Sequence, residues 1–408
     1  MQSFLPLLAL ALAAFTSAAP APAASSGCNS ANPFLNRVQY ANSRYASLLE
    51  TTVASFTTKG DKLNAARVRT VQKTSTFIWI DDFAAIDDLK GHFDEAVRAQ
   101  KKLGYGQKLI VPLVVYNLPD RDCSAKSSAG ELVLAEGGEA KYRQFVDKVV
   151  ATMKPYLSKL DFAVVVEPDS LGNSVTNLSV PKCAGAKDAY TRGVAYTVSK
   201  LGKFANVALY IDAAHSNWLG WPGNLEPTAK LMAEVVSMAN GNVTNPANPA
   251  KIRGFATNVS NYNGYNSTTP DPIYGPGPDN PNWSELKYAK ALTPFLEAEG
   301  LPAHFIIDQG RSGQQNIRAQ GGHWCNIADS GFGIRPTTDT GDCSVDSVVW
   351  VKPGGESDGT SDDTAVRYDE NCRNPDSFIP SPEAGAWHND FVEMLVKNAN
   401  PALPPTWK

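Results

Sequence analysis

The chain has 408 residues, of which 43% are hydrophobic and 19% are charged, and its formal net charge is -4. This composition supplies enough apolar residues for a globular core, so it excludes a disordered or collagen-like chain. The slight acidic excess also excludes a nucleic-acid-coating protein, because no surplus of Lys and Arg is present to neutralise phosphates.

The first residues have the layout of a secretory signal peptide. An apolar run from Phe4 to Phe15 precedes small residues at positions 17–19, as in a signal followed by its cleavage site. The run is too short to span a bilayer, and no later stretch is long and apolar enough to do so. We therefore expect residues 1–19 to be removed, with the cut between residues 18 and 24, and the mature protein to be extracellular without membrane contact.

Six cysteines and several Asn-x-Ser/Thr triplets agree with secretion. No Cys-x-x-Cys spacing occurs, so neither a zinc ribbon nor a thioredoxin-like site is indicated. An even number of cysteines in a secreted chain predicts disulfides, although the sequence leaves their pairing open. The triplets compatible with N-glycosylation begin at Asn177, Asn242, Asn258, Asn266 and Asn282.

Seven short runs rich in β-branched and aromatic residues predict strands, and longer segments separate them. The runs are almost continuously apolar, as in strands that are buried on both faces of a parallel sheet. They span residues 76–80, 108–116, 162–166, 207–211, 252–259, 304–307 and 347–351. Between them, apolar residues spaced by three or four predict amphipathic helices, most clearly over 83–97 and 142–153.

This repeated alternation predicts an α/β fold with a parallel sheet. Seven strand and helix units come close to a complete barrel, which favours a closed or nearly closed barrel over a doubly wound sheet. No Gly-x-Gly-x-x-Gly follows a strand, which removes the usual reason to choose the doubly wound sheet. We expect one distorted seven-stranded parallel β/α barrel, forming a single domain over residues 20–408.

Acidic residues leave the ends of at least five predicted strands. They lie in the segments 116–122, 167–170, 212–215, 308–311 and 352–358. In a parallel barrel these ends share one face, where active sites are built, so we expect the carboxylates to converge there. A single acid commonly caps a helix or a turn, but five in register point to hard-metal binding or to acid/base chemistry.

Metal binding is the weaker interpretation, because no calcium-loop or His-Glu-x-x-His pattern occurs and the histidines are scattered. We therefore expect no metal and no cofactor. A serine nucleophile is also disfavoured, since no Gly-x-Ser-x-Gly elbow is present, and the expected disulfides disfavour a cysteine nucleophile.

Aromatic residues fall in or just after the same strand ends. They are Trp79, Tyr116, Trp218, Trp221 and Trp324. A single ring is most often part of the core, yet residues 218–223 read as a loop, where tryptophan has less reason to lie. Flat amphipathic rings beside carboxylates suit pyranose sugars, which stack on the rings while their hydroxyls bond to polar groups. The joint pattern predicts cleavage of glycosides.

Several of these segments closely resemble fungal glycoside hydrolase family 6, of the cellobiohydrolase II type. The similarity runs in order from about residue 32 to residue 401. Its motifs are VVYNLPDRDC (114–123), VVEPDSLGN (165–173), YIDAAHSNWLGWPGN (210–224), GFATNVSNYNGYN (254–266), DQGRSGQQ (308–315) and VWVKPGGESDGTSD (349–362).

The resemblance implies a distorted seven-stranded barrel that hydrolyses β-1,4-glucan with inversion. It implies that Asp169 is the general acid and that Asp122 is the neighbour that keeps the proton on it. Tyr116 matches a tyrosine that assists distortion of the sugar ring, and Ser128 matches a serine that holds the attacking water. Asp358 matches the favoured general base, with a water chain as the alternative proton route.

Other residues match the sugar-binding positions and the disulfides of the family. The polar matches are Asp212, His215, Asn261, Lys352 and Glu356, and the stacking matches are Trp79, Trp218, Trp221 and Trp324. The resemblance also implies the disulfides Cys123–Cys183 and Cys325–Cys372, and we expect Cys28 and Cys343 to form a third. Two positions depart from the family pattern, because Asn117 and His323 stand where aspartate is usual.

The segment 352–387 is long and carries Cys372 as a tether, which resembles the exo-acting members. We therefore expect a secreted monomer that releases cellobiose from the non-reducing ends of cellulose and cello-oligosaccharides. No cellulose-binding module and no nucleic-acid partner are expected. The alternatives are an endo-acting β-1,4-glucanase of the same family and a secreted glucan-binding protein without turnover.

Overall fold

The computed structural model describes residues 31–243, 246–274 and 279–407. Its strands are β1 (Arg37–Gln39), β2 (Ile78–Ile80), β3 (Lys108–Val115), β4 (Asp161–Val166), β5 (Val207–Asp212), β6 (Gly254–Thr257), β7 (Phe305–Asp308) and β8 (Val345–Val349). Its α-helices are α1 (Ser43–Thr58), α2 (Lys62–Val71), α3 (Phe83–Gln100), α4 (Gly138–Met153), α5 (Ser170–Thr176), α6 (Pro181–Leu201), α7 (Ser216–Leu219), α8 (Pro222–Ala239), α9 (Glu285–Ala298) and α10 (Asn389–Lys397).

All strand pairs in the sheet are parallel, in the order β1-β3-β4-β5-β6-β7-β8, with β2 also paired to β3. Strand β1 pairs with the first half of β3, from Lys108 to Ile110, and β2 pairs with its second half, from Leu113 to Val115. The two short strands therefore share one edge of β3, and eight strands fill seven positions. This confirms the predicted seven-stranded barrel class.

The barrel is distorted where its two edges meet. No ladder joins β8 to β1 or β2 among the described residues, and single hydrogen bonds connect them instead. The Phe77 N–H donates to the Trp350 carbonyl at 3.2 Å, and the Gln39 amide donates to the Ser347 hydroxyl at 3.3 Å. The seam between these edges is thus closed by individual contacts.

Strand β3 shows why its apolar run is continuous. Ile110 and Val114 pack inside the barrel with residues of the other strands, whereas Leu109 and Val111 pack outward against the helices. Successive side chains of a strand point to opposite faces, so a strand covered on both faces needs apolar residues at every position. The periodic helices are also confirmed, since α3 and α4 cover the segments predicted from their spacing.

Cysteine pairing follows the expectation where it is described. The disulfides Cys123–Cys183 and Cys325–Cys372 are both present. The expected third pair includes Cys28, which lies outside the described residues, as does the expected signal peptide. Within the described ranges no helix is long and apolar enough to cross a membrane.

A buried ion pair joins three strand regions at the amino end of the barrel. The Arg253 guanidinium donates to both carboxylate oxygens of Asp346, at 2.8 and 2.7 Å, and the Tyr210 hydroxyl donates to the same carboxylate at 2.7 Å. The Asp346 side chain is 1% exposed. A carboxylate at this depth is tolerated only because its charge is paired and its oxygens are hydrogen-bonded.

We expect Arg253→Ala to lower the free energy of unfolding by about 3–5 kcal/mol, because Asp346 would stay buried without its countercharge. Lys90→Ala is the matched control, since Lys90 pairs with Asp94 on an exposed helix face and such pairs contribute less than about 0.5 kcal/mol. Chemical denaturation of both variants measures the difference. Equal losses would show that the Arg253 pair contributes no more than a surface pair.

Candidate active site

A cavity of about 450 Å³ opens at the carboxyl ends of the strands. It gathers side chains from segments that are far apart in the sequence, as a parallel barrel predicts. The predicted site residues that line it are Trp79, Tyr116, Asp122, Ser128, Asp169, His215, Trp218, Asn261, Trp324, Lys352 and Asp358.

Three further predicted residues lie outside the lining of this cavity. Asp212 is 1% exposed and lies behind Asp169. Glu356 is half-buried, and burial and Asp81 raise its pKa to about 7 although Lys352 opposes them. Trp221 stands at the start of α8.

The acids at the strand ends divide into two groups, because some hold the loops and others face the cavity. The Asp308 carboxylate accepts N–H groups from Gly310 at 2.8 Å and from Ser260 and Lys352 at 3.1 Å. It therefore fastens three loops together. Glu167 does the same for the residues after β3, where it accepts the N–H groups of positions 117 and 118.

Asp169 faces the cavity from the end of β4. Among the described residues, no protein group forms a hydrogen bond with its carboxyl group. Its backbone φ is 67°, and its own N–H donates to Asp212 at 2.9 Å. Burial raises the pKa of Asp169 well above its ordinary value, and the nearby carboxylates of Asp212 and Asp122 raise it further. Asp169 is thus a protonated acid aimed into the cavity.

Asp212 and Asp169 compete for a proton at close range. Burial also raises the pKa of Asp212, but its carboxylate accepts the N–H groups of Asp169 and Ala214. Donated hydrogen bonds favour the ionised form, and Asp169 receives none. Asp212 therefore ionises first, and the proton stays on Asp169.

Asp122 lies in the loop that follows β3. Burial raises its pKa, whereas the Ser128 N–H, which donates to its carboxylate at 2.8 Å, opposes the shift. Arg121 fixes this loop, because its guanidinium donates to the carbonyls of Ser128 and Asp81 at 2.8 and 2.6 Å and lies 4.4 Å from the ring centre of Tyr116. The loop thus presents Asp122 and Tyr116 in fixed positions.

Asp358 has the opposite electrostatic environment. Its Oδ2 accepts from Arg311 at 2.6 Å, from the Tyr262 hydroxyl at 3.0 Å and from the Asn326 N–H at 2.9 Å, while Lys352 lies 3.7 Å from Oδ1. Burial opposes ionisation, but Arg311 and Lys352 outweigh it and hold the pKa of Asp358 below its ordinary value. Asp358 is therefore an ionised carboxylate on the same cavity.

The aromatic walls of the cavity are held at their polar edges. The Trp79 indole N–H donates to the Val351 carbonyl at 3.0 Å, and its ring lies edge-on to Tyr116 at 5.5 Å. The Trp218 indole N–H donates to the Thr176 hydroxyl at 2.7 Å. Because the N–H groups are satisfied by protein, a ligand in the cavity would meet these rings through their apolar surfaces.

Two site residues, Arg318 and Asn263, are absent from the sequence prediction. Arg318 lines the cavity and donates to the side-chain oxygens of Asn261 at 2.6 Å and Asn263 at 2.8 Å. The Asn263 amide nitrogen lies 3.1 Å from His215 Nδ1 and 3.0 Å from the buried Glu285 carboxylate. Asn263 falls inside a motif quoted for the family resemblance, whereas Arg318 follows no predicted strand and has no local signal.

His215 is neutral in this surrounding. Burial and the nearby Arg318 charge lower its pKa to about 3. The Asn263 amide can only donate from its nitrogen, so Nδ1 accepts and the ring proton sits on Nε2. His215 thus offers an uncharged N–H donor to the cavity.

The two positions that depart from the family pattern both have partners. His323 lines the cavity, and its Nδ1 lies 2.8 Å from the Asp376 carboxylate, which also accepts the Ala319 N–H at 2.6 Å. The Asn117 amide donates to Glu131 at 2.9 Å. His323 therefore ties the segment before Trp324 to the loop around residue 376.

Two loops meet at one wall of the cavity. The Lys126 N–H, in the loop after β3, donates to the Asp369 carboxylate at 3.0 Å, in the long segment after β8. Next to it, the Ser127 hydroxyl lies 3.6 Å from the sulfur of Cys372, which is disulfide-bonded to Cys325. The two loops thus contact each other beside the cavity. We call this contact the roof seam.

The described part of the chain contains no group of three His, Cys, Asp or Glu side chains arranged to hold a metal ion. One Asn-x-Ser/Thr triplet is closed to modification in the folded chain. Asn258 is 0% exposed, and its amide donates to the carbonyls of Asn263 and Asp308.

Sequence comparison places these features in a known family. The family model described as "Glycosyl hydrolases family 6" matches residues 34–399. Exoglucanase 3 of Agaricus bisporus is 45% identical over 372 residues, which are 91% of this chain and 80% of that protein. The 1,4-beta-D-glucan cellobiohydrolase CEL6B of Podospora anserina is 44% identical over 381 residues, or 92% of this chain and 84% of that protein.

Solved structures agree with the sequence comparison. CcCel6C from Coprinopsis cinerea, a glycoside hydrolase family 6 enzyme, is 51% identical, with a TM-score of 0.88 over 92% of this chain and 100% of its own. Cellobiohydrolase II (Cel6A) from Humicola insolens, in complex with glucose and cellotetraose, is 41% identical, with a TM-score of 0.84 over 91% of this chain and 99% of its own. Family model, relatives and fold agree, and the chain belongs to glycosyl hydrolase family 6.

Proposed function

We propose that the chain is a glycoside hydrolase that cleaves β-1,4-glucan with inversion and releases cellobiose from the non-reducing ends of cellulose and cello-oligosaccharides. One observation carries the proposal. A single cavity with aromatic walls holds Asp169, whose pKa is raised, and Asp358, whose pKa is lowered. Carboxyl groups whose environments separate their pKa values in this way suit an acid and base pair. The names of the relatives, exoglucanase and cellobiohydrolase, support exo action.

Asp169 acts as the general acid in this proposal. Its proton passes to the glycosidic oxygen while the bond between that oxygen and the anomeric carbon breaks. A water molecule attacks the opposite face of the sugar, so its oxygen forms the new bond and the configuration inverts. Asp122 keeps the proton on Asp169 by like-charge coupling and stabilises positive charge on the sugar. Tyr116 assists distortion of the ring being cleaved.

Asp358 receives the proton of the attacking water, either directly or along a water chain. Its Oδ2 is occupied by three donors, so Oδ1 is the oxygen that remains for this proton. Ser128 has its backbone N–H on Asp122 and its side chain at the cavity, where it is placed to hold the water. The lowered pKa of Asp358 keeps the acceptor ionised at mildly acidic pH.

Sugar binding falls to the polar and aromatic residues of the cavity and its surroundings. We assign hydroxyl binding to His215, Asn261, Lys352 and Glu356, and stacking to Trp79, Trp218, Trp221 and Trp324. Asp212 accepts the backbone N–H of Asp169 from a buried position, so it acts as a positioning residue.

The roof seam supports exo action. Loops that contact each other beside the cavity favour admission of a chain end, whereas an open cleft accepts any internal bond. The Cys325–Cys372 disulfide holds the longer loop in place. We further propose that the protein is secreted and works as a monomeric catalytic domain without a cofactor. The signal-like amino terminus and the disulfides support secretion.

Asp169→Asn is expected to lower kcat on cellotetraose by at least about 10²- to 10⁴-fold, because an amide cannot donate the acid proton. Asparagine tolerates the left-handed backbone at this position, so oligosaccharide binding should persist. The control is Asp188→Asn, an exposed change on α6. Steady-state kinetics and calorimetric binding give both quantities. Unchanged turnover would reject Asp169 as the acid.

Lys352→Met is expected to move both limbs of the pH profile of kcat/KM to higher pH. Lys352 lowers the pKa of Asp169 and of Asp358, and activity needs the first protonated and the second ionised. Removing its charge raises both pKa values, so the acid limb and the alkaline limb of the profile both shift to higher pH. Lys290→Met, at an exposed pair with Asp342, is the control and should leave the profile unmoved. A shift to lower pH would contradict the assignment.

A product time course on amorphous cellulose tests the exo action. At low conversion, cellobiose should greatly exceed glucose and longer oligomers, because the roof seam restricts entry to chain ends. An early spread of longer oligomers would instead indicate an endoglucanase. Release of no soluble sugar would favour a glucan-binding protein without turnover.

A further inference from the structure

A second cavity, of about 510 Å³, lies beside the catalytic cavity. Its walls come from the segment that follows β6, over residues 262–271, and from the segment that follows β7, over residues 312–318. Asn217 and Arg318 line both cavities. The side groove, as we name this second cavity, therefore shares a wall with the catalytic cavity at these two residues.

The lining of the side groove is polar and almost uncharged. Amides and hydroxyls dominate it, with Asp271 and Arg318 as its charged members. One guanidinium that already donates to two asparagine side chains is a poor site for a phosphate. Few apolar groups are present to attract an apolar ligand. Neutral hydroxyls, which both donate and accept, match a lining of this kind.

Trp283 is one of three aromatic residues in this lining, with Tyr262 and Tyr265, and its orientation is fixed. The indole N–H donates to the Ser267 carbonyl at 3.1 Å, and the Lys287 ammonium lies 4.1 Å from the ring centre. Trp283 is half-buried. Trp79 and Trp218 in the catalytic cavity are anchored in the same way, by an indole N–H bonded to protein.

The residues at the base of the side groove are tightly packed. A Cβ on Gly264 would lie 2.3 Å from the Ser267 hydroxyl and 2.9 Å from the Gln315 side-chain oxygen. The Gln309 side chain accepts the Tyr265 N–H at 3.1 Å and donates to a backbone carbonyl at 3.0 Å. Such a preformed cavity loses little conformational entropy when it binds a ligand.

We propose that the side groove binds a second neutral glucan segment, which stacks on Trp283 and hydrogen-bonds the surrounding amides. The volume lies in the range of about 300–1,000 Å³ that is usual for ligand sites. This inference rests on glucan being the substrate, but it does not depend on the roles given to the catalytic acids. It provides a hold on an additional stretch of polymer next to the cleft.

A glycan attached to the protein itself is a second source of sugar for the side groove. Asn266, exposed at the groove, begins an Asn-x-Ser/Thr triplet, so a glycan attached there could reach Trp283. The test therefore starts from the Asn266→Gln variant, in which no attached glycan can compete. Asp169→Asn is added to stop hydrolysis of the probe.

Calorimetric titration of the Asn266→Gln/Asp169→Asn chain with cellohexaose should show two binding sites. Adding Trp283→Ala should weaken the second site at least about tenfold, because truncating a stacking aromatic removes a dominant contact. Trp283→Phe, which keeps a flat ring, should retain most of that binding. The matched control is Trp407→Ala, an exposed tryptophan that lines neither cavity.

Kinetics supply a second readout. In the active chain, Trp283→Ala should leave turnover of a short soluble cellotrioside unchanged and lower the rate on amorphous cellulose several-fold. Binding at one site in every variant overturns the side groove while leaving the proposed function intact, whereas no binding at all would overturn both. A second site that exists in Asn266→Gln and is absent from glycosylated protein would assign the groove to the attached glycan and overturn the proposal.

Discussion

Buried carboxylates that accept backbone N–H groups hold the catalytic face together. The carboxyl ends of parallel strands leave loop N–H groups without a ladder partner, and a buried N–H without a partner costs about as much as a lost hydrogen bond. Glu167, Asp212 and Asp308 each accept two or three such groups. They place the loops that carry Asp169 and Lys352. The acids facing the cavity depend on these acids behind them.

The same network holds the backbone in an unfavourable conformation. Asp122, Glu167, Asp169, Ala214 and Ser260 all have left-handed φ angles between 51° and 67°. Residues with side chains adopt this region at a cost of about 1–3 kcal/mol each, and only where their surroundings enforce it. Carboxylates hold three of them there, since the N–H groups of Asp169 and Ala214 donate to Asp212 and that of Ser260 donates to Asp308. The benefit is that acids on adjacent loops turn toward one cavity.

The sequence predicts the barrel well because strands buried on both faces leave an unbroken apolar signal. It misses β1, whose three residues Arg37–Gln39 include two polar side chains and pair only with the start of β3. Most of the cavity lining is also predictable, because the acids and tryptophans follow strands. The place of Arg318 in the lining is not predictable, since Arg318 lies in a loop without hydrophobic periodicity. Whether an acid such as Asp308 faces the cavity or the loops depends on backbone geometry that spacing does not encode.

The roof seam lies beside the cavity that we propose to bind glucan. Among the described residues it comprises the hydrogen bond from the Lys126 N–H to Asp369 and the contact between the Ser127 hydroxyl and the Cys372 sulfur. Opening the seam would break a hydrogen bond to a charged group, which contributes about 1.5–3 kcal/mol, together with the buried contact between Ser127 and Cys372. While the seam is closed, a glucan chain has to thread its end into the cavity. A change at the seam would therefore alter access to the cavity while leaving the hydrogen bonds of Asp122 and Asp358 in place.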